Sequence, residues 1–231
     1  MSPDTFNVFL ERLKDTSLPI KSVQLNGQGE PLLHNQFTVM ARKLKEGFPS
    51  LSLHAITNGS VYRHIPEELD YFEVSVNAGN KESYKRITGL NWERTLEHIA
   101  IWRGDLRLQV HMLVFDENCT EVPEFTKAFT GIKQVLSYKF DNQCGEIEDK
   151  TLSEYKKEER IPCDYITDML FITWTGDVLM CPHDVHGEVP LGNICQDSLE
   201  SIWNGETHQR LLKEHQERRF TSICTNCNYN V

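Results

Sequence analysis

Four cysteines near the C-terminus carry the clearest chemistry in this sequence. Cys163 is followed by 17 residues and then Cys181, 42 further residues precede Cys224, and two separate Cys224 from Cys227. A Cys-x2-Cys pair on a tight turn puts two thiolates on one metal, and two distant cysteines complete a four-thiolate set. Thiolates are soft ligands, so zinc and an iron–sulfur cluster both suit the set. Disulfides are the rival reading, but no signal peptide precedes the cysteines and their total of seven is odd. His183 and His186, close behind Cys181, leave a mixed Cys/His zinc site open, although the four cysteines suffice by count. Cys195, Cys119 and Cys144 read as non-ligands: an interruption in a Gly-Asn-Ile segment, an incidental thiol at a helix start, and a small buried residue beside Gly145.

A second group of residues offers ligand chemistry at turns. Gly27-Gln28-Gly29-Glu30-Pro31 follows a short strand, where glycines permit close backbone approach and the Glu30 carboxylate can hold an ammonium group. Taken alone, the same residues also describe a plain strand-to-helix turn with Glu30 in solvent, because short glycine motifs are common. Thr57-Asn58-Gly59 closes the next strand. Ser75 and Asn77 end the one after, where strand-end capping is the ordinary reading.

The elements that must position these residues follow from periodicity. Ser2-Pro3-Asp4 opens a helix with the apolar stripe Phe6, Phe9, Leu10 and Leu13. Strands are expected at 22–25, 51–56, 71–76, 106–115 and 132–140, with helices around Phe37–Leu44, Trp92–Trp102 and Val122–Phe129. Five strands alternating with helices predict an α/β fold, a parallel sheet or partial barrel whose ligands sit at the strands' C-terminal ends. Residues 145–162 are charged, including the run Lys156 to Arg160, and read as a linker. The expected organisation is therefore 1–144 for the sheet domain, 145–162 for the linker and 163–231 for a small Cys-rich domain. Within the last, Thr173 to Pro182 reads as strand, glycine turn and strand, a hairpin that delivers Cys181.

These parts, in this order, resemble the radical SAM enzymes that carry a C-terminal SPASM/Twitch auxiliary domain. Leu191-Gly192-Asn193-Ile194, then Ser198 to Trp203, a basic helix and the closing Cys-x2-Cys follow that domain's plan. The resemblance implies one auxiliary 4Fe-4S cluster on Cys163, Cys181, Cys224 and Cys227, as in the Twitch type. It also implies a partial (β/α)6 barrel in which Gly27, Gly29, Glu30, Asn58, Ser75 and Asn77 hold S-adenosyl-L-methionine, Glu30 taking its amino group. Val110, Met112, Val114 and Cys144-Gly145 resemble positions flanking the adenine. The family's Cys-x3-Cys-x2-Cys, which binds the catalytic cluster, does not occur among these residues, and no cysteine precedes Cys119. The expectation is a barrel without its first strand and catalytic loop, with no catalytic residue of its own and inactive alone. In complete form it would cleave S-adenosylmethionine reductively to a 5'-deoxyadenosyl radical that abstracts a substrate hydrogen. The substrate would be a peptide or small molecule, the reductant a flavodoxin or ferredoxin, and the auxiliary cluster would accept an electron or anchor substrate. The alternative is a cluster- or zinc-binding module without radical chemistry.

The totals exclude several classes. A formal charge of -10 repels nucleic acid and anionic lipid. No run of about 18 apolar residues is present, so no membrane span is expected, and a cytoplasmic location is the default.

Overall fold

The computed structural model describes residues 1–156 and 159–229, so Lys157 and Glu158 of the expected linker and the last two residues lie outside the described residues. The chain divides into two compact units. One comprises Ile20–Phe140 and Lys150–Tyr155; the other comprises Met1–Pro19, Asp141–Asp149 and the residues from Lys156 onward.

The first unit is built on a five-stranded parallel sheet in sequence order: β1 (Ser22–Gln24), β2 (Ser52–Thr57), β3 (Tyr71–Ser75), β4 (Leu108–Leu113) and β5 (Lys133–Ser137). The fold class is the α/β sheet expected, with β2 shifted by one residue and the other four strands shorter than the sequence suggested. Helices α2 (Phe37–Gly47), α3 (Lys81–Thr88), α4 (Trp92–Trp102) and α5 (Val122–Ala128) connect the strands. Helix α2 buries Phe37, Met40, Ala41 and Leu44, one stripe at helical spacing. Helix α3 was not expected. It starts on Asn80, whose side chain accepts from the Ser83 backbone, and stops at left-handed Gly89.

Alternate residues along a strand point to opposite faces, and the two faces of this sheet differ. Leu53, Ala55, Phe72, Val74, Leu108, Val110 and Met112 make one face and are buried. The other carries Gln24, His54, Tyr71, Glu73, Ser75, Gln109 and His111, most of them half-buried. Parallel sheets are usually apolar on both faces; this one is apolar on one.

The second unit holds α1 (Pro3–Asp15), α6 (Asp164–Asp168), an antiparallel sheet of β6 (Phe171–Ile172), β7 (Asp177–Leu179) and β8 (Pro190–Asn193), and helices α7 (Leu199–Trp203) and α8 (Glu206–Gln216). The hairpin strands flank a turn at Thr173–Gly176, where Gly176 has a φ of 94°. Helix α1 is capped by Ser2, and Arg12 Nε donates to the Ile194 carbonyl at 2.8 Å. Thr16 Oγ1 donates to Glu200 at 2.6 Å, joined there by the Ser17 backbone.

Candidate functional site

At the C-terminal ends of β1 to β3 lies an open cleft of about 210 Å³, lined by Asn26, Gly27, Gly29, Glu30, Ile56, Thr57, Asn58 and Ser75. Five of the six residues expected to hold a cosubstrate thus meet at one place. Glu30 is not loose in solvent: its carboxylate accepts from the Leu32 backbone (2.9 Å), the Thr57 hydroxyl (2.7 Å) and the Asn58 backbone (2.7 Å). A carboxylate has about four acceptor sites, so the side chain that fastens the glycine turn to β2 retains room for one further donor. Gly59 completes this corner with a φ of 69°; a Cβ there would lie 2.9 Å from Val74 and 3.0 Å from Thr95. Its carbonyl is paired at 2.7 Å with Nδ1 of buried His98.

Asn77, the sixth, is placed differently. It has a φ of 58°, its side chain accepts from the Leu113 backbone at 2.8 Å, and its carbonyl accepts from Asn118 Nδ2 at 2.9 Å. It secures the end of β4 and is not part of the cleft lining.

In the second unit the chain gathers cysteines. Cys181 and Cys224 are buried in one apolar cluster with Ile166, Met180, Val189 and Leu211, and Cys144 and Cys163 pack against it. Cys144 is close enough to interact with the thiols of both Cys181 and Cys227, the fourth member of the expected set. Cys144, read from the sequence as a bystander, is therefore a fifth thiol at this site. Its backbone is left-handed, with a φ of 60°, and the flanking Asn142 and Gly145 are pressed onto the Cys224–Cys227 turn. Asn142 Nδ2 donates to the Asn226 carbonyl at 2.8 Å, and a Cβ on Gly145 would meet Asn226 Cβ at 2.7 Å.

The surroundings fix each sulfur. The Cys163 backbone donates to His215 Nδ1 at 3.2 Å, the Tyr229 backbone donates to Cys227 Sγ at 3.4 Å, and Arg160 Nη2 donates to the Cys224 carbonyl at 2.6 Å while its guanidinium lies over Phe220. Tyr165 stacks on Tyr229 with centroids 4.3 Å apart, and His183 lies against both rings while pairing with Asp141 at 2.9 Å. Burial pushes the Cys163 thiol up to about 11 and the Cys224 thiol up to about 12. Hydrogen bonds to Cys181 and Cys227 keep the proton on Cys144, and those same bonds lower Cys181 and bring Cys227 down to about 6. Cys195 is exposed, and Cys119 sits in the other unit with its thiol toward the Asp116 carbonyl.

Comparison with known proteins identifies these parts. Residues 163–228 match the SPASM family model, an iron-sulfur cluster-binding domain. Among solved structures, BtrN in complex with AdoMet and 2-DOIA superposes with a TM-score of 0.65 at 17% identity, covering 99% of this chain and 80% of that one. Native anSMEcpe with bound AdoMet gives 0.66 at 14% identity, covering 99% and 80%. SuiB of Streptococcus suis bound to its precursor peptide SuiA gives 0.63 at 12% identity, covering 97% and 62%. The whole chain therefore shares the fold of these three structures, and its C-terminal region matches the SPASM model. Among curated proteins, it is 29% identical over 113 residues to an uncharacterized protein of Treponema pallidum (48% of this chain, 31% of that one) and 33% identical over 115 residues to a probable GTP 3',8-cyclase of Saccharolobus islandicus (46% and 36%). It spans about a third of the length of these curated relatives.

The residues of the region that matches the SPASM model suit an iron–sulfur cluster. The donors are sulfur, their walls are apolar and aromatic, and backbone N–H groups aim at them, the features that set cluster stability and potential. Thiols that burial holds protonated need a compensating positive centre to ionise, and iron supplies it. Among the described residues, no helix is long and apolar enough to cross a membrane.

Proposed function

We propose that this chain supplies the S-adenosylmethionine-binding sheet and the auxiliary 4Fe-4S site of a radical SAM enzyme acting on a peptide or a small molecule. The convergence of Glu30, Thr57, Asn58 and Ser75 on one cleft at the strands' C-terminal ends supports the reading most directly. AdoMet is bound in two of the structural relatives named above, one of them together with 2-DOIA, and a third relative holds a peptide.

A reduced catalytic cluster would give one electron to bound S-adenosylmethionine, breaking its sulfur–C5' bond to release methionine and a 5'-deoxyadenosyl radical able to take a hydrogen atom from substrate. The parts played by this chain are positional. Glu30, already holding three protein donors, takes the cosubstrate's ammonium on its remaining acceptor site, and Gly27 and Gly29 leave the backbone open to it. Ser75 offers a hydroxyl to the ribose or methionyl carboxylate. Asn77 keeps β4 in register with β3 and so acts on the cleft through the backbone. Cys163, Cys181, Cys224 and Cys227 would hold the auxiliary cluster, whose chemistry would be to accept an electron or anchor substrate, and a flavodoxin or ferredoxin is the expected reductant.

The test is anaerobic. Reconstitution with iron and sulfide should give one 4Fe-4S cluster per chain by absorbance and electron paramagnetic resonance, and equilibrium dialysis should show S-adenosylmethionine binding that Glu30→Gln weakens. A protein that takes up one zinc and refuses iron would leave the cluster- or zinc-binding module without radical chemistry as the better reading.

A further inference from the structure

Glu73 and His111 face the same space from adjacent strands, and neither belongs to the cosubstrate motif. Glu73 Oε1 lies 3.6 Å from His111 Nδ1, with side chains 14% and 18% exposed. That separation is too long for a hydrogen bond. His111 is anchored from its other nitrogen, with Nε2 2.8 Å from Ser137 Oγ. Glu73 has no hydrogen-bond donor among the described residues.

The sheet register places the pair against the cleft. Glu73 is the cross-strand partner of Ile56, and His111 is the partner of Ser75; Ile56 and Ser75 both line the cleft. Cross-strand partners sit about 5 Å apart, so the pair forms the cleft's continuation along the polar sheet face. The remaining groups on that face are Gln109, then Tyr71 stacked on His54 at 4.7 Å, with His54 paired to Gln24 at 2.9 Å. Its one Lys or Arg strand position is Lys133, exposed at the far end of β5.

A half-buried carboxyl without a donor is costly to fold and stays in place where a ligand supplies the donor. In the tautomer that donates from Nε2 to Ser137 Oγ, the imidazole presents a lone pair at Nδ1, so Glu73 and His111 offer acceptors side by side. A group with several donors and a positive charge matches them. We infer that Glu73, with His111 beside it, is the acceptor site for an amine carried by the substrate. This rests on the reading that the adjoining cleft takes the cosubstrate. Burial raises the Glu73 carboxyl and lowers His111, and an ammonium beside Glu73 would offset the first of these shifts. A lysine side chain of a peptide and an amino sugar share this chemistry.

The experiment follows the His111 ring by nuclear magnetic resonance in histidine-labelled protein, without S-adenosylmethionine or reductant, its signals assigned by their loss in His111→Gln. Acetyl-lysine methylamide and glucosamine are the amine probes; acetyl-norleucine methylamide and myo-inositol are their neutral counterparts. The amines should shift the ring saturably and the neutral compounds should not. Glu73→Gln should weaken amine binding by about tenfold or more, while Glu73→Asp, which keeps the charge, retains the preference and controls for folding. The tighter amine tells peptide from sugar. Equal shifts by charged and neutral probes, no shift by any, or undiminished binding in Glu73→Gln would overturn the inference. Because S-adenosylmethionine is absent, its failure to bind at Glu30 would leave this result unaffected.

Discussion

Asn142 and Asn228 hold each other reciprocally: the Asn142 backbone donates to Asn228 Oδ1 at 2.9 Å, and the Asn228 backbone donates to Asn142 Oδ1 at 3.1 Å. The clasp ties the segment carrying Cys144 to the turn carrying Cys224 and Cys227. Asn142→Ala removes both Asn142 side-chain bonds and leaves the Asn228 N–H and Asn226 carbonyl without those partners. The expected cost is about 1–3 kcal/mol in denaturant unfolding of the loaded protein, with faster loss of cluster absorbance in air.

Iron content should follow the thiol geometry. Serine replacements at Cys181, Cys224 and Cys227 should each lose most of the iron after anaerobic reconstitution, as should Cys163→Ser, whereas Cys195→Ser keeps it. Cys144→Ser should retain iron and alter the electron paramagnetic resonance line shape, because Cys144 contacts two of the ligating sulfurs.

Glu30→Ala leaves the donors of Leu32, Thr57 and Asn58 without their acceptor. It should destabilise the sheet unit by about 2–4 kcal/mol and abolish measurable S-adenosylmethionine binding, whereas Ser75→Ala should lower affinity with stability nearly unchanged. Thermal melts and equilibrium dialysis separate the two.

The Gly59 corner is steric. Gly59→Ala places a methyl group within 3.0 Å of two side chains at a positive φ, and should cost about 1–3 kcal/mol, read by urea midpoint.

Glu73 makes a pH prediction. Burial raises its carboxyl above the ordinary value, so the native state binds more protons than the unfolded chain between the ordinary and raised values. Stability therefore falls as pH rises through that window. His111, lowered by burial, acts oppositely, its contribution being lost as pH falls below the ordinary imidazole value. Glu73→Gln should flatten the alkaline-going loss and match the wild type at pH below the carboxylate range, measured by urea midpoints across pH.

Much of this arrangement was legible in the residues. The Phe37, Met40, Ala41, Leu44 stripe gave α2, glycine turns marked the strand ends, and the Cys163 to Cys227 spacing marked the region that matches the SPASM model. Helix α3 was missed because it buries only Ser83 and Tyr84, with charged residues elsewhere and no apolar stripe to read. Strands read as 106–115 and 132–140 shortened to Leu108–Leu113 and Lys133–Ser137, because apolar character runs past the last ladder hydrogen bond. Cys144 escaped because its position depends on a left-handed backbone and on partners 84 and 86 residues away. The Glu73–His111 pair joins two strands whose register no local pattern specifies.

The bonds from Arg12 to Ile194 and from Thr16 to Glu200 bear on the order in which the molecule matures during synthesis. The parallel sheet is complete once Tyr155 has left the ribosome, whereas α1, made before the sheet, waits for partners some 180 residues downstream. Closing so long a loop is slow, so the cysteine-bearing unit finishes after the sheet, and its thiols stay open to iron delivery until the segment that carries Ile194 and Glu200 has emerged.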